Sequence, residues 1–113
     1  MYKVVILPPA KEDIKEAAYW YNDKQKGLGK RFTEEVRSKI GYIRKNPKAM
    51  EVRYSKTRCA ILDVFPFMVH FSVNDKQKTI IISAVFHTSL NPEQWGLNQI
   101  NSRTISARIP LFR

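Results

Sequence analysis

The sequence is short of the residues that build metal centres, disulfides and membrane spans. There is one cysteine, Cys59, and two histidines, His70 and His87, in 113 residues. One cysteine makes no internal disulfide, and its solitude fits a reducing cytoplasm. Zinc needs three or four His, Cys, Asp or Glu ligands at recognisable spacings, and the pattern lacks them, so no metal is expected. No phosphate-binding loop is present either. Gly27-Leu28-Gly29 lacks the further glycine and lysine that such a loop requires, and no cofactor is expected. No apolar run approaches the roughly 20 residues that cross a bilayer, which argues against a membrane protein. Pro8-Pro9 and acids follow the short apolar start, where a secretory cleavage site would sit, so no signal peptide is read. The length allows one domain.

Acids are scarce as well, ten against twenty Lys and Arg, for a net charge of +10. The excess is uneven. From Lys24 to Arg58 there are twelve basic residues and three acids, Glu34, Glu35 and Glu51. Such a field attracts polyanions, whether nucleic acid or an acidic protein. The plainer reading is a solvated helix face that serves solubility.

What is present reads as alternating elements. Tyr2 to Leu7 is β-branched and stopped by Pro8-Pro9, a first strand. Pro9 suits the first turn of a helix, where Glu12 and Asp13 complement the dipole. Ala10, Ile14, Ala17, Ala18 and Tyr21 keep helical spacing to about Lys24. Gly27 and Gly29 punctuate a turn. Leu28, Phe32, Val36, Ile40 and Ile43 then carry a second helix that Asn46-Pro47 stops. Beyond Pro47 the period falls to two. Short strands are expected over Glu51–Tyr54 and Arg58–Val64. Phe67 to Val73 makes a half-buried strand, with His70 on the alternate, exposed face. Thr79 to Phe86 is a nearly continuous apolar strand covered on both faces. Asn91-Pro92-Glu93 resembles a helix entry with Trp95 as its anchor.

The order β-α-α-β-β-β-β predicts an α+β fold, a helical hairpin packed on one face of a small antiparallel sheet. The domain is placed at residues 1–96, and 97–113 is a C-terminal tail expected to be irregular or disordered. The sheet's other face and the basic loops after the second helix are left for a partner. Arg44, Lys45, Lys48, Arg53, Tyr54 and Lys56 are the candidate residues for binding nucleic acid or a protein. Metal-independent RNA cleavage needs an acid or base and cations around the phosphorus. His87 and Arg58 are the candidates for that chemistry. His87 serves equally as a hydrogen-bonded residue fixing the sheet to the 91–95 turn, and Cys59 reads as core.

The residues also resemble a known family, the RelE/ParE superfamily of type II toxins. Pro8, Ala10, Lys11, Asp13 and Ile14 are similar to the opening of its first helix. Tyr19-Trp20-Tyr21 and Gly29-Lys30-Arg31-Phe32 match the helical hairpin, and Asn46-Pro47, Arg58 and Phe65 to Val69 follow in order. Ala84 to Trp95, A-V-F-H-T-S-L-N-P-E-Q-W, resembles its terminal signature, with Leu90 where the family has arginine. Met68 and His70 stand where ribosome-dependent members place an arginine, and Thr88 follows His87 where they end in a tyrosine. The resemblance implies a plasmid-stabilisation-like toxin, closer to the ParE branch, which arrests growth by binding DNA gyrase. It also implies a cognate antitoxin, acidic and from a neighbouring gene. A RelE-like mRNA endonuclease acting on the ribosome, and a non-toxic basic RNA- or protein-binding module, are the alternatives.

Overall fold

The computed structural model describes residues 2–90. The expectations for Asn91 to Trp95 and for the 97–113 tail lie outside the described residues. The order is β1 (Lys3–Ile6), α1 (Pro8–Lys24), α2 (Leu28–Lys45), β2 (Val52–Tyr54), β3 (Thr57–Ile61), β4 (Phe67–Asn74) and β5 (Thr79–His87). Every element expected within the described residues forms, within a few residues of its expected ends. The expected Arg58–Val64 strand stops at Ile61, because Glu35 of α2 accepts the amide hydrogens of Asp63 and Val64 and bends the chain there.

Five strands form one sheet in the order β1-β5-β4-β3-β2. From β2 to β5 the pairing is antiparallel, as expected. The sheet is nevertheless mixed, because β1 runs parallel to β5 with Lys3 opposite Thr79 and Ile6 opposite Ile82. The two helices return the chain so that β2, at the opposite edge, runs antiparallel to β1, and the three antiparallel pairings that follow leave β5 pointing the same way as β1.

The hairpin closes tightly at Gly29. It lies in the first turn of α2 rather than in the turn itself, which is made by Gly27 at φ 89°. A Cβ on Gly29 would collide with the Ala18 carbonyl oxygen of α1. Beneath this contact, Tyr21 and Phe32 meet Phe65 and Phe67 with ring centroids 4.8 to 6.1 Å apart. Val36, Ile43, Val69, Phe71, Ile80, Ile82 and Val85 extend this core between helices and sheet.

α1 starts at Pro8, one residue before the expected position, with both prolines in its first two positions. That start moves Glu12 and Asp13 past the first turn. Asp13 is instead buried, and its Oδ2 accepts the backbone amide of Val85, 2.9 Å away. The need arises in β5. His70 pairs with Ala84 and Phe71 with Ile82, so Ser83 is an extra residue, a β-bulge. β1 ends at Ile6, opposite Ile82, so Val85 lies beyond the end of its neighbouring strand. Asp13 supplies the acceptor that β1 does not.

The bulge also reverses which residues face the helices. Ile80 and Ile82 do so before it and Val85 after it. Ala84 and Phe86 therefore turn to the other face, where they pack with Cys59, Met68, Leu90 and Tyr54. This second cluster corrects the expectation for His70. The residue lies on the alternate face but is fully buried, because that face carries a small core of its own. The upper half of the sheet's other face is accordingly closed by packing, and among the described residues the lower half is open.

Candidate partner-binding surface

The basic segment is continuous in sequence but not in space. α2 has 18 residues, so about 27 Å separates its ends. Lys24, Lys26, Lys30 and Arg31 flank its start, whereas Arg44, Lys45 and Lys48 flank its finish. The expected single field thus spreads along the helical hairpin, densest at its two ends, with Arg37 and Lys39 between them.

The field at the end of α2 is the more structured. Arg44 Nε donates to the Tyr2 carbonyl oxygen at 2.8 Å. Asp75, in the β4–β5 turn, accepts from Tyr2 Oη at 2.9 Å and from Lys48 Nζ at 2.6 Å. These bonds hold the Asp75 carboxyl below its ordinary range, the Lys48 contribution being the largest. The same bond to Asp75 raises Lys48, and the bond to Asp75 raises Tyr2 as well. Lys78 lies over the Tyr2 ring, 5.3 Å from its centroid. The amino-terminal strand, the end of α2 and the β4–β5 turn are thereby tied at one carboxylate.

Arg53 and Lys56 are exposed on β2 and the β2–β3 turn. Tyr54 is half-buried, and its hydroxyl is hydrogen-bonded to His70 Nδ1 at 3.0 Å. Cys59 Sγ lies 3.6 Å from the same nitrogen. Burial pushes the Cys59 thiol up to about 11, so the sulfur is a protonated core atom at neutral pH. His70 and Cys59 are the partners of Tyr54 that the sequence reading gave no functional role. Two alternating positions on neighbouring strands signalled the pair, since Cys59 sits opposite His70 in the β3–β4 register.

Arg58 and His87 are held apart. Arg58 is opposite Phe71 and His87 opposite Phe67, on strands two positions away from each other. That register separates them by about 13 Å along the strands and about 10 Å across. Arg58 donates from Nη1 to the Met50 carbonyl at 2.5 Å, bracing the loop before β2. The His87 ring packs edge-on against Phe67 at 5.2 Å. Its Nδ1 accepts the Ser89 amide hydrogen at 3.1 Å and lies 2.7 Å from Ser89 Oγ. Burial lowers the His87 pKa, so the ring is neutral at pH 7 with its proton on Nε2. Among the described residues no three His, Cys, Asp or Glu side chains are grouped to hold a metal ion. No described helix is long and apolar enough to cross a membrane.

Residues 4–92 match the family described as the ParE toxin of the type II toxin–antitoxin system parDE. The chain belongs to this toxin family. No curated protein matches the sequence significantly. Solved structures share its fold at low identity. A chain of the chromosomal ParDE toxin–antitoxin system from P. aeruginosa superposes with a TM-score of 0.61 at 17% identity, covering 79% of this chain and 98% of that one. The isolated RelE toxin of E. coli gives 0.60 at 13%, covering 89% and 100%. A chain of the RelBE2 toxin–antitoxin complex of Mycobacterium tuberculosis gives 0.54 at 16%, covering 76% and 96%. The α+β hairpin-on-sheet fold is therefore that of the RelE/ParE toxins. Leu90 is 3% exposed and packed in the second cluster.

Proposed function

We propose that this ParE-family toxin arrests growth by binding an essential protein target, DNA gyrase being the foremost candidate, and is neutralised by a cognate antitoxin. The observation that carries the choice of binding over cutting is the separation of Arg58 from His87. Each is already occupied, one by the Met50 carbonyl and the other by Ser89. Cleavage of RNA would need an acid, a base and a cation converging on one phosphate. The family match supports the toxin role, and two of the structural neighbours come from toxin–antitoxin systems.

The basic field along the hairpin favours an acidic antitoxin. Exposed charges attract a partner of opposite sign, and that attraction weakens as salt shortens the screening length to about 3 Å at 1 M. Arg44, Lys45, Lys48, Arg53, Tyr54 and Lys56 are the proposed contact residues.

The deciding experiment is expression of the chain alone from a tightly controlled promoter, following incorporation of DNA and protein precursors. DNA synthesis should fall first, and the purified chain should inhibit supercoiling by gyrase. Early loss of protein synthesis with cleaved mRNA would overturn this reading in favour of ribosome-dependent cleavage.

A further inference from the structure

Below the Ser83 bulge, the sheet face turned away from the helices mixes Ser72, Asn74 and Thr79 with Val5 and Ile81 and is open among the described residues. Ser72, Asn74 and Ile81 form the floor of a hollow of about 420 Å³, with Lys56, Asp75 and Lys76 among its walls. The two lysines stand on different turns, β2–β3 and β4–β5, and are exposed. Lys3 joins the same face from β1, since Val4 and Ile6 point into the helix-side core and Lys3 lies opposite Thr79.

The acid in this wall does not cancel those charges. Asp75 is already satisfied by Lys48 and Tyr2, which leaves Lys56 and Lys76 as net positive charge in the walls of the hollow, with Lys3 beyond them on the same face. Among the described residues no aromatic ring lines it. Tyr2 is engaged by Asp75 and Lys78, and Tyr54 is bonded to His70. Single strands are held by cations together with exposed rings on which bases stack. Cations on projecting turns, with serine and asparagine between them and no stacking ring, suit a backbone whose bases stay paired.

We propose that this hollow docks the phosphate backbone of duplex DNA, without reading sequence. Lys56 is shared with the proposed partner contacts and Lys76 is not, and duplex binding does not depend on the gyrase reading. With three or four phosphates contacted, the logarithm of the binding constant should fall with the logarithm of salt at a slope of about −3, at −0.9 for each phosphate.

The test is fluorescence anisotropy of the full chain with a short labelled duplex of mixed sequence, between roughly 50 and 200 mM salt. Lys56→Glu/Lys76→Glu should bind at least about tenfold more weakly, with a slope shallower by about two units. Lys56→Gln/Lys76→Gln should lose less. Lys30→Glu/Arg31→Glu, at the far end of the hairpin, removes the same net charge and should bind as the wild type does. Unchanged thermal unfolding of the variants shows that the loss is not misfolding, since all four side chains are exposed. Equal losses in the near and far variants would reduce the effect to net charge and overturn the site. Tighter binding of a single-stranded RNA of equal length, or no duplex binding at low salt, would overturn it too.

Discussion

Asp13 of the first helix accepts the amide hydrogen of Val85 in the last described strand, 72 residues away. The carboxylate continues the hydrogen bonding of β1 beyond the end of that strand. Its loss leaves a buried amide without its acceptor, which costs about 1–3 kcal/mol, more where the acceptor was charged. Asp13→Ala should therefore lose about 3 kcal/mol in urea unfolding. Asp13→Asn keeps an acceptor oxygen and should lose about 1 kcal/mol. An Asp13→Ala chain as stable as the wild type would show that the strand manages without this contact.

Two glycines of α2 should respond in opposite directions to the same substitution. Gly29→Ala drives a methyl group into the Ala18 carbonyl and forces the hairpin open. Overpacking of this kind costs about 1–3 kcal/mol, and here backbone must move, so the upper end is expected. Gly41 has nothing within 4 Å of its would-be Cβ. Gly41→Ala should gain up to about 1 kcal/mol from helix propensity alone. Denaturant midpoints of the two variants, read together, check the close approach of α1 and α2.

Leu90→Arg introduces the arginine that the sequence resemblance implies at this position and should weaken this protein's fold. The side chain is buried with Met68, Ala84 and Phe86. A guanidinium there must be desolvated or must displace the cluster, at a cost of about 3 kcal/mol or more. The melting temperature should fall by several degrees. A melting temperature equal to the wild type's would show that position 90 accommodates a cation.

His87 sets a pH dependence. Its folded pKa lies below the ordinary value because burial disfavours the imidazolium. Between that lowered value and about 6.5 the unfolded chain binds the extra proton and the folded chain does not. Stability is therefore full above the unfolded value and declines as pH falls from there towards the folded one. His87→Gln should flatten this part of the stability profile. An NMR titration placing His87 above 6.5 would reverse the sign and remove the explanation.

The elements themselves were legible because local periodicity encodes them. Phe32, Val36, Ile40 and Ile43 repeat at helical spacing, and Phe67, Val69, Phe71 and Val73 alternate. Three things were hidden for a common reason: each depends on a partner distant in the chain. Nothing near Lys3–Ile6 states that β5 lies beside it in parallel. The run Thr79 to Phe86 is nearly all apolar and does not alternate, so no break in period marks Ser83 as the extra residue. His70 looks exposed when one core is assumed, and the second core becomes visible only when Cys59, Phe86 and Leu90 are assembled. The candidate surface was half legible for a related reason. Arg44, Lys45, Lys48 and Lys56 are near in sequence and reach one end of the fold, but Lys3 and Lys76 join them only through the sheet. Arg58 and His87 shared a chemistry on paper, and strand register sets them apart.

The Ser83 bulge has a consequence for how this strand can change over time. A regular strand exposes one set of side chains along its whole length, so a change of interest on that face is constrained throughout. The extra residue divides β5 into two registers. Ile81 and Thr79 can drift with whatever the lower hollow meets, while Ala84 and Phe86 stay bound to the packing of the upper cluster. One strand thereby carries two independent surfaces, and a single inserted residue is the boundary between them.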